Sequence, residues 1–288
     1  MKLGIHYIYW QTDLKCQSYV PYVEKAKRLG FDVLELGDYL ILNMPESEVE
    51  DLAVASREYG IELSVGLDPP QDSALTSGCE GTRNRGVAWY HSVFPRLQKM
   101  GITALGGNML NAAPELPLVK YYKREWANGV DSIYKIGKCA ADYGINISVE
   151  ICNRFESHLL NTAAQGVAFV KEVDLPNVKI LLDTFHMNIE EDSFEDAFRL
   201  SKGSLGHVHL GEGNRKLPGN GHLPWESIFN ALKEIGYNDI MAMEPLVGFG
   251  GELGDCCKIW RNMTNGANER QMDQAAARAA KFVREFIG

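Results

Sequence analysis

The sequence predicts an α/β protein built as a single (β/α)8 barrel, in which eight parallel strands alternate with eight helices. Three observations predict it: a junction motif that recurs along the chain, further apolar runs between its copies, and a length of 288 residues. Eight equal units would have about 36 residues each, which is the size of one strand, one helix and their loops. We therefore expect residues 1–288 to form one barrel domain.

The junction motif is a helical stretch that ends at glycine and is followed by a short apolar run. A glycine just past a helix end supplies the left-handed residue that caps it, and the run after it has the length and composition of a strand. Each copy therefore marks the end of a helix and the start of a strand. The five glycines are Gly30, Gly60, Gly101, Gly144 and Gly236.

Three further apolar runs bring the count to eight strands. They are the opening run Leu3–Tyr9 and the two runs Val178–Leu182 and Gly206–Leu210, which lie between Gly144 and Gly236. Alternating strands and helices of this size imply parallel strands joined by helical crossovers. A doubly wound open sheet is the alternative, but it usually has fewer units and a glycine-rich first turn, which this sequence lacks.

Several helix starts agree with this register. Thr162 and Gln165 have the spacing of a capping box, Ser193 precedes an acidic first turn, and Pro224 is expected at a first helical position. A final helix from about Asn268 to Phe286 would close the ring.

Composition and charge exclude several classes of function. The chain has 29 Lys and Arg against 38 Asp and Glu, a net charge of −9, so we expect no nucleic-acid partner. No apolar run approaches the roughly 18 residues of a membrane span, and no leader precedes the first strand, so we expect no membrane partner and a cytoplasmic location. The 6 cysteines form no Cys-x-x-Cys pair and are expected to be reduced thiols.

Polar side chains end four consecutive predicted strands. Glu150, Asp183, His209 and Glu244 follow one another at separations of 33, 26 and 35 residues, one repeat each. The working residues of such barrels lie at the carboxyl ends of the strands, so these four should meet at one rim. Polar residues can also simply mark strand ends, but four in successive repeats favour a joint role. His207 lies two residues earlier on the same strand face and is expected to be structural.

Three carboxylates and one imidazole form a suitable ligand set for a divalent cation that prefers oxygen and nitrogen. Mn²⁺, Co²⁺ and Mg²⁺ are such ions, whereas structural zinc sites usually recruit thiolates. Carboxylates so close together would repel one another strongly without a cation. The sequence therefore predicts one metal ion at this rim.

Several segments resemble the ketose 3-epimerases, the D-tagatose 3-epimerase and D-psicose (D-allulose) 3-epimerase family, which has a xylose-isomerase-like barrel. The resemblance runs from end to end and is densest from about Glu150 to Ala267. The segments are Asn153–Glu156, Leu182–Asp192, Gly206–Arg215, Pro218–Trp225, Met243–Pro245 and Ile259–Arg261.

The resemblance implies a function and roles for particular residues. It implies C3 epimerisation of free ketohexoses, such as D-fructose and D-psicose or D-tagatose and D-sorbose, by a dimer or tetramer. One Mn²⁺ or Co²⁺ would be held by the residues at the four strand ends. Substrate near the reacting carbons would be bound by Glu156, His186 and Arg215, all present in this chain.

The chemistry of C3 epimerisation suggests how such a site works. Removing the C3 proton of a 2-ketose places negative charge on O2, which a divalent metal stabilises as a Lewis acid. One carboxyl group removes the proton from one face and another returns it to the opposite face, through a cis-enediolate. Glu150 and Glu244 are the expected catalytic pair, one ionised while the other is protonated.

The amino-terminal half departs from the family pattern. Family members carry Tyr or Phe where His6 stands, and Trp just before proline where Ala113 stands. We expect His6, Gly107 and Asn108 to contact the far end of the sugar. The aromatic residues Tyr7, Tyr9 and Trp10 could stack under the sugar or belong to the core.

Other functions are possible on the same barrel. An aldose–ketose isomerase of the hydroxypyruvate or rhamnose type would use the same metal but move hydrogen between C1 and C2. A sugar-phosphate epimerase is favoured by Gly250 and Gly251 after the eighth strand, but few cations lie nearby in sequence. A phosphodiesterase or nuclease would need more metals and a basic track. A non-catalytic sugar-binding protein is the fourth alternative.

Overall fold

Eight parallel strands close into a barrel in the computed structural model, which describes residues 1–13, 17–37, 41, 43–110 and 119–288. Each strand pairs with its neighbours in sequence, and the eighth pairs with the first, so the predicted (β/α)8 barrel is confirmed. The strands are β1 Lys2–His6, β2 Val33–Gly37, β3 Glu62–Gly66, β4 Ala104–Gly107, β5 Asn146–Ile151, β6 Val178–Asp183, β7 Leu205–Leu210 and β8 Ile240–Met243.

Helices surround the barrel and connect consecutive strands. All five glycines predicted to end helices have positive φ, between 61° and 92°, as a left-handed cap requires. Two short 3-10 segments, Tyr7–Trp10 and Val119–Tyr121, are also present. The α-helices are α1 Val20–Leu29, α2 Glu46–Tyr59, α3 Glu80–Met100, α4 Tyr122–Asp142, α5 Ala163–Val173, α6 Thr184–Glu190, α7 Phe194–Leu200, α8 Trp225–Glu234, α9 Gly251–Cys256 and α10 Glu269–Ile287.

The predicted helix starts are largely confirmed. Thr162 and Gln165 form a capping box before α5, and the Ser193 side chain caps α7. Asn268 caps α10 in the same way, so the closing helix begins within one residue of its predicted start. Pro224 directly precedes α8 and does not occupy its first turn.

The first strand is shorter than predicted. It ends at His6 because the His6 Nδ1 atom accepts a hydrogen bond from the backbone N–H of Ile8, 3.2 Å away, which turns the chain into a 3-10 segment. This segment directs Tyr9 and Trp10 towards α10, where the Tyr9 hydroxyl donates to the Met272 carbonyl and Trp10 Nε1 donates to Asp273. Tyr9 is buried in the core and Trp10 packs against it, which favours the core alternative for both residues.

Buried polar side chains lie inside the barrel on β1 to β3 and on β6 and β7. The register pairs His6 with Glu35, Glu35 with Ser64, and Asp183 with His209. All five side chains are buried. Asp183 and His209 lie at the carboxyl ends of β6 and β7, where catalytic residues of such barrels are found, whereas Glu35 and Ser64 lie in the middle of their strands.

The described residues also bear on the expectations about membrane spans and cysteines. In that part of the chain no helix is long and apolar enough to cross a bilayer. The described cysteines, Cys79, Cys139, Cys152, Cys256 and Cys257, form no disulfide. Cys16 and Ala113 lie outside the described residues.

Candidate metal and active site

Four side chains from consecutive strands meet at the carboxyl end of the barrel. Glu150 projects from β5, Asp183 ends β6, His209 projects from β7, and Glu244 directly follows β8. One ligand atom from each lies within 4.8 Å of those of the other three. Asp183 and His209 are fully buried, and the side chains of Glu150 and Glu244 retain only 9% and 18% exposure. The geometry matches the predicted arrangement, and the role of the four residues as ligands stays a prediction.

The His209 ring shows that this cluster fits a cation. Its Nδ1 atom is buried without a hydrogen-bond partner, 3.6 Å from Glu150 Oε1 and 3.5 Å from Glu244 Oε2. These distances exceed those of ordinary hydrogen bonds, and a buried nitrogen left unpaired costs free energy. Three carboxylates around an unpaired imidazole nitrogen are a donor set for a divalent cation such as Mn²⁺, Co²⁺ or Mg²⁺.

Burial and neighbouring charges displace the pKa values of the carboxyl groups in different directions. Burial raises the pKa of Asp183 to about 7, although the Arg215 guanidinium opposes the shift. Burial likewise raises the pKa of Glu150. Burial acts in the same direction on Glu244, but the His209 and Arg215 charges outweigh it and hold its pKa well below the usual range. The two glutamates are therefore displaced in opposite directions, Glu150 towards the protonated form and Glu244 towards the ionised form.

Arg215 connects the carboxylates of the cluster. Its Nη1 atom donates to Asp183 Oδ2 at 2.8 Å and to Glu244 Oε2 at 3.1 Å, while Nη2 lies 3.6 Å from Glu156 Oε2. The guanidinium also stacks on the Phe185 ring, 3.9 Å from its centroid. Burial lowers the pKa of Arg215, but the surrounding carboxylates raise it by a larger amount. The net pKa is above the usual value, so the side chain stays charged.

The backbone that carries Arg215 is held in an unusual conformation. Its φ of 60° lies in the left-handed region, which non-glycine residues rarely adopt. The Arg215 carbonyl accepts a hydrogen bond from Leu246 N–H at 2.9 Å. The fully buried Glu212 carboxylate fixes the same loop by accepting from Gly219 N–H at 2.8 Å and from Trp225 Nε1 at 2.7 Å.

His186 is oriented as a hydrogen-bond donor. Its Nδ1 atom accepts from the backbone N–H of Asn153 at 3.2 Å, so we assign the ring proton to Nε2. That atom lies 3.6 Å from Glu150 Oε1 and 3.7 Å from Asp183 Oδ2. Burial, together with the Arg215 charge, keeps the pKa of His186 well below its usual range, so the ring is neutral.

Glu156 is the most exposed of the predicted substrate-binding residues in this half. Its side chain keeps 39% of its surface exposed, and Oε1 accepts a hydrogen bond from Asn153 Nδ2 at 3.1 Å. Oε2 lies 3.9 Å from His186 Nε2. The structure thus brings Glu156, His186 and Arg215 together at the cluster, and their contacts with substrate stay predictions.

The predicted contacts from the amino-terminal half lie on β1 and at the end of β4. His6 is buried, and burial lowers its pKa, although the Glu35 carboxylate acts to raise it. Gly107 has a φ of 123°, and a Cβ there would lie 2.7 Å from the Leu67 carbonyl oxygen, so the backbone requires glycine. Asn108 N–H donates to Asp68 Oδ1 at 2.8 Å. Their contact with a sugar stays a prediction.

Sequence reasoning missed Glu35, Asn153, Phe185 and Glu212. Asn153 and Phe185 lie inside the segments that carry the resemblance, and only the structure shows that they hold His186 and Arg215. Glu35 had a detectable signal, because it is the only charged residue in the otherwise apolar strand Val33–Gly37. A carboxylate at a fully buried strand position is rare unless it has partners.

Comparison with known proteins identifies the family. The family model described as "Xylose isomerase-like TIM barrel" matches residues 23–250. Two curated relatives named D-psicose 3-epimerase are 41% identical (Agrobacterium fabrum, 100% of both chains) and 40% identical (Ruminiclostridium cellulolyticum, 100% of this chain and 98% of the relative). A solved structure of D-psicose 3-epimerase in the presence of D-fructose has a TM-score of 0.95 at 40% identity, covering 100% of both chains. The chain therefore belongs to the xylose isomerase-like TIM-barrel family and, within it, to the ketose 3-epimerases, carbohydrate epimerases of the isomerase class.

Proposed function

We propose that this chain catalyses the metal-dependent epimerisation of free ketohexoses at C3. D-Fructose and D-psicose, or D-tagatose and D-sorbose, are the proposed substrate pairs. The observation that carries the proposal is the convergence of three carboxylates on the unpaired Nδ1 atom of buried His209. Full-length identity of 40–41% to proteins named D-psicose 3-epimerase supports the same reaction.

We propose Glu150, Asp183, His209 and Glu244 as the ligands of one divalent cation, Mn²⁺ first, with Co²⁺ and Mg²⁺ as alternatives. When bound, the cation would supply Lewis-acid stabilisation of the negative charge that develops on the substrate's carbonyl oxygen. Asp183 is fixed by Arg215 and by the Phe185 backbone N–H, which donates to its Oδ1 atom at 2.8 Å. A rigid ligand set of this kind needs little reorganisation on metal binding.

Glu150 and Glu244 are the proposed acid and base. They project from β5 and from the end of β8, so a ketose between them would expose opposite faces of C3 to the two carboxyl groups. The opposite displacements of their pKa values support a division in which one carboxyl group is ionised and the other protonated. One removes the C3 proton to give the cis-enediolate, and the other returns a proton to the opposite face.

His186, Glu156 and Arg215 are the proposed substrate-binding residues. The neutral His186 ring offers its Nε2–H to the oxygen on C2 without adding a charge. Arg215 keeps Glu244 in position and offers its remaining donors to a sugar oxygen. His6, Gly107 and Asn108 are proposed to contact the distal carbons.

Incubation with D-fructose in deuterated water tests the reaction. We expect D-psicose to form and deuterium to appear at C3 of the ketose. An aldose product with label at C1 or C2 would instead establish an aldose–ketose isomerase. A much lower KM for D-fructose 6-phosphate than for D-fructose would show that the substrate is a sugar phosphate.

We also propose that residues 1–288 form a single domain, that the chain forms a homodimer or homotetramer, and that it is cytoplasmic. One apolar cluster that extends from Leu3 to Val283 supports the single domain. The proposed oligomeric state rests on the resemblance to the ketose 3-epimerases, and the proposed location rests on the sequence. Light scattering on the purified chain would distinguish a dimer from a tetramer, and a monomer would contradict the proposal.

A further inference from the structure

We propose that Glu35, in the middle of β2, is a positioning residue that holds the His209 imidazole with its proton on Nε2 and its Nδ1 lone pair free for the cation. This inference rests on the proposed function, because it assigns a role towards the same metal ion. Glu35 Oε1 lies 2.7 Å from His209 Nε2 in the barrel interior.

A charged carboxylate at the position of Glu35 is energetically unfavourable because the position is buried. Its exposure is 1%, and both neighbours in β2 are fully buried leucines. Transferring a charged group from water to such a place is unfavourable unless it gains hydrogen bonds or ion pairs. Three polar side chains from other strands surround the Glu35 carboxylate. Ser64 and His209 lie at hydrogen-bond distance, and His207 lies at ion-pair distance.

The partners of Glu35 come from β3 and β7. Ser64 Oγ donates to Glu35 Oε2 at 2.8 Å, and His207 Nε2 lies 3.0 Å from the same oxygen, although it is too poorly aligned for a hydrogen bond. These contacts leave Oε1 for His209. Ser64 and His207 therefore orient the carboxylate, and the carboxylate in turn orients the His209 ring.

The position of the ring proton decides whether His209 can bind a metal. A neutral imidazole donates from one nitrogen and accepts through the other. Metal binding displaces any proton on Nδ1, and with Nε2–H held by Glu35 the Nδ1 lone pair then lies on the side of the ring that faces the Glu150 and Glu244 carboxylates. Without Glu35, those carboxylates would attract the proton to Nδ1, where it blocks coordination. Carboxylates that hydrogen-bond a ligand histidine in this way typically increase metal affinity 10- to 100-fold.

His186 shows that partners determine ring orientation in this site. Its Nδ1 atom accepts from Asn153, so its proton is on Nε2, which faces the carboxylates as a donor. In His209 the proton on Nε2 faces away from the cluster. The Nε2–H of His186 therefore faces the cluster, whereas the Nε2–H of His209 faces away from it and leaves Nδ1 as the atom that can bind the cation.

The test is the Mn²⁺ dissociation constant of chelator-treated protein, measured from the electron paramagnetic resonance signal of free Mn²⁺. Glu35→Leu removes the acceptor in an already apolar strand, and we expect about 10- to 100-fold weaker binding. Glu35→Gln keeps an acceptor but no charge, and we expect a smaller loss. At saturating Mn²⁺ we expect the KM for D-fructose to change little and kcat to recover substantially in both variants.

Two controls separate positioning from a general effect on stability. Asp273→Asn removes another buried carboxylate, which pairs with Trp10 and Arg28 on the helical side of the barrel, and should leave Mn²⁺ affinity unchanged. Ser64→Ala removes one of the groups that orient Glu35 and should weaken Mn²⁺ binding less than Glu35→Leu does. If Glu35→Leu does not fold, Glu35→Gln and Ser64→Ala decide the question.

The outcomes distinguish this inference from the proposed function. Wild-type Mn²⁺ affinity in the folded Glu35 variants would overturn the role of Glu35 and leave the proposed function intact. A second bound Mn²⁺ that Glu35→Leu abolishes would also overturn it, because Glu35, His207 and His209 would then be ligands themselves. Failure of the wild-type protein to bind Mn²⁺ would overturn both.

Discussion

The two halves of the barrel rim contribute different kinds of residue. Strands β5 to β8 bring three carboxylates and one imidazole to a single cluster, whereas β1 to β4 end in His6, Gly37, Gly66 and Gly107. The exception in the second group is Glu35, and its carboxylate contacts His209 of the first group. The difference indicates that the proposed chemistry is concentrated on four consecutive strands. In the proposed function the opposite strands contribute one positioning carboxylate and uncharged groups near the distal carbons of the sugar.

The proposed acid and base give the largest expected effect. We expect Glu150→Gln and Glu244→Gln each to lower kcat for D-fructose about 10³-fold or more, because glutamine cannot exchange the proton. Product formation measured by chromatography checks this, with circular dichroism to show that the fold is kept. Glu125→Gln, which alters a carboxylate paired with His158 at 2.7 Å on α4, is the matched control and should stay active. Full activity in either active-site variant would refute the two-carboxylate mechanism.

The pH dependence of metal binding sharpens the comparison, because Asp183 and His209, at which protons compete with the cation, both lie on the β5 to β8 side. In the metal-free protein burial raises the pKa of Asp183 to about 7, so below that pH a proton competes with the cation. Burial opposes the charged form of His209, but the Glu244 and Glu35 carboxylates raise its pKa well above the usual range. A proton on His209 therefore also competes with the cation. We expect Mn²⁺ affinity to fall at least about tenfold for each pH unit below 7.

The raised pKa of Asp183 also makes the stability of the folded protein depend on pH. An acid whose pKa is higher in the folded than in the unfolded state binds protons more tightly when folded, so Asp183 contributes stability to the metal-free protein that is lost as the pH rises from about 4 to 7. The lowered pKa values of His186 and His6 contribute with the opposite sign, so the Asp183 contribution is measured as the difference between wild type and Asp183→Asn. Thermal melts of both metal-free proteins over this range check it, and a wild type that gains stability with pH relative to Asp183→Asn would contradict the assignment.

The smallest expected effect comes from the β1 side. We expect His6→Phe to leave Mn²⁺ affinity unchanged and to alter the ratio of kcat/KM for D-fructose and D-tagatose by up to about tenfold, because His6 is not one of the four proposed ligands. The change also removes the acceptor of the Ile8 N–H, so circular dichroism must show that the fold is kept. Steady-state kinetics on both sugars, with the Mn²⁺ titration above, measures the two effects separately. A large loss of metal affinity would show that His6 belongs with the metal cluster, and the contrast between the two halves would fail.

The sequence predicted those features that local signals determine. Glycine caps indicated the five helix ends, and a largely apolar run before each of Glu150, Asp183, His209 and Glu244 placed them at strand ends. Closure of the barrel then brings them together, since consecutive strands are neighbours.

Features that depend on distant partners were not predictable. Glu35 contacts a histidine 174 residues later in the sequence, and its own strand gives no indication of which residue that is. The left-handed backbone at Arg215 arises from loop packing, and the opposite directions of the His186 and His209 Nε2 atoms arise from Asn153 and Glu35, which are distant in the sequence. The 3-10 turn at Tyr7–Trp10 follows from one hydrogen bond to the His6 ring, which an alternating apolar pattern does not reveal.

Anomalous diffraction from crystals of the Mn²⁺-loaded protein tests the central claim most directly. We predict one strong manganese peak per chain, within coordination distance of carboxylate oxygens of Glu150, Asp183 and Glu244 and of the Nδ1 atom of His209. A peak elsewhere in the chain, or no peak in protein that is fully active after exhaustive chelation, would contradict the account.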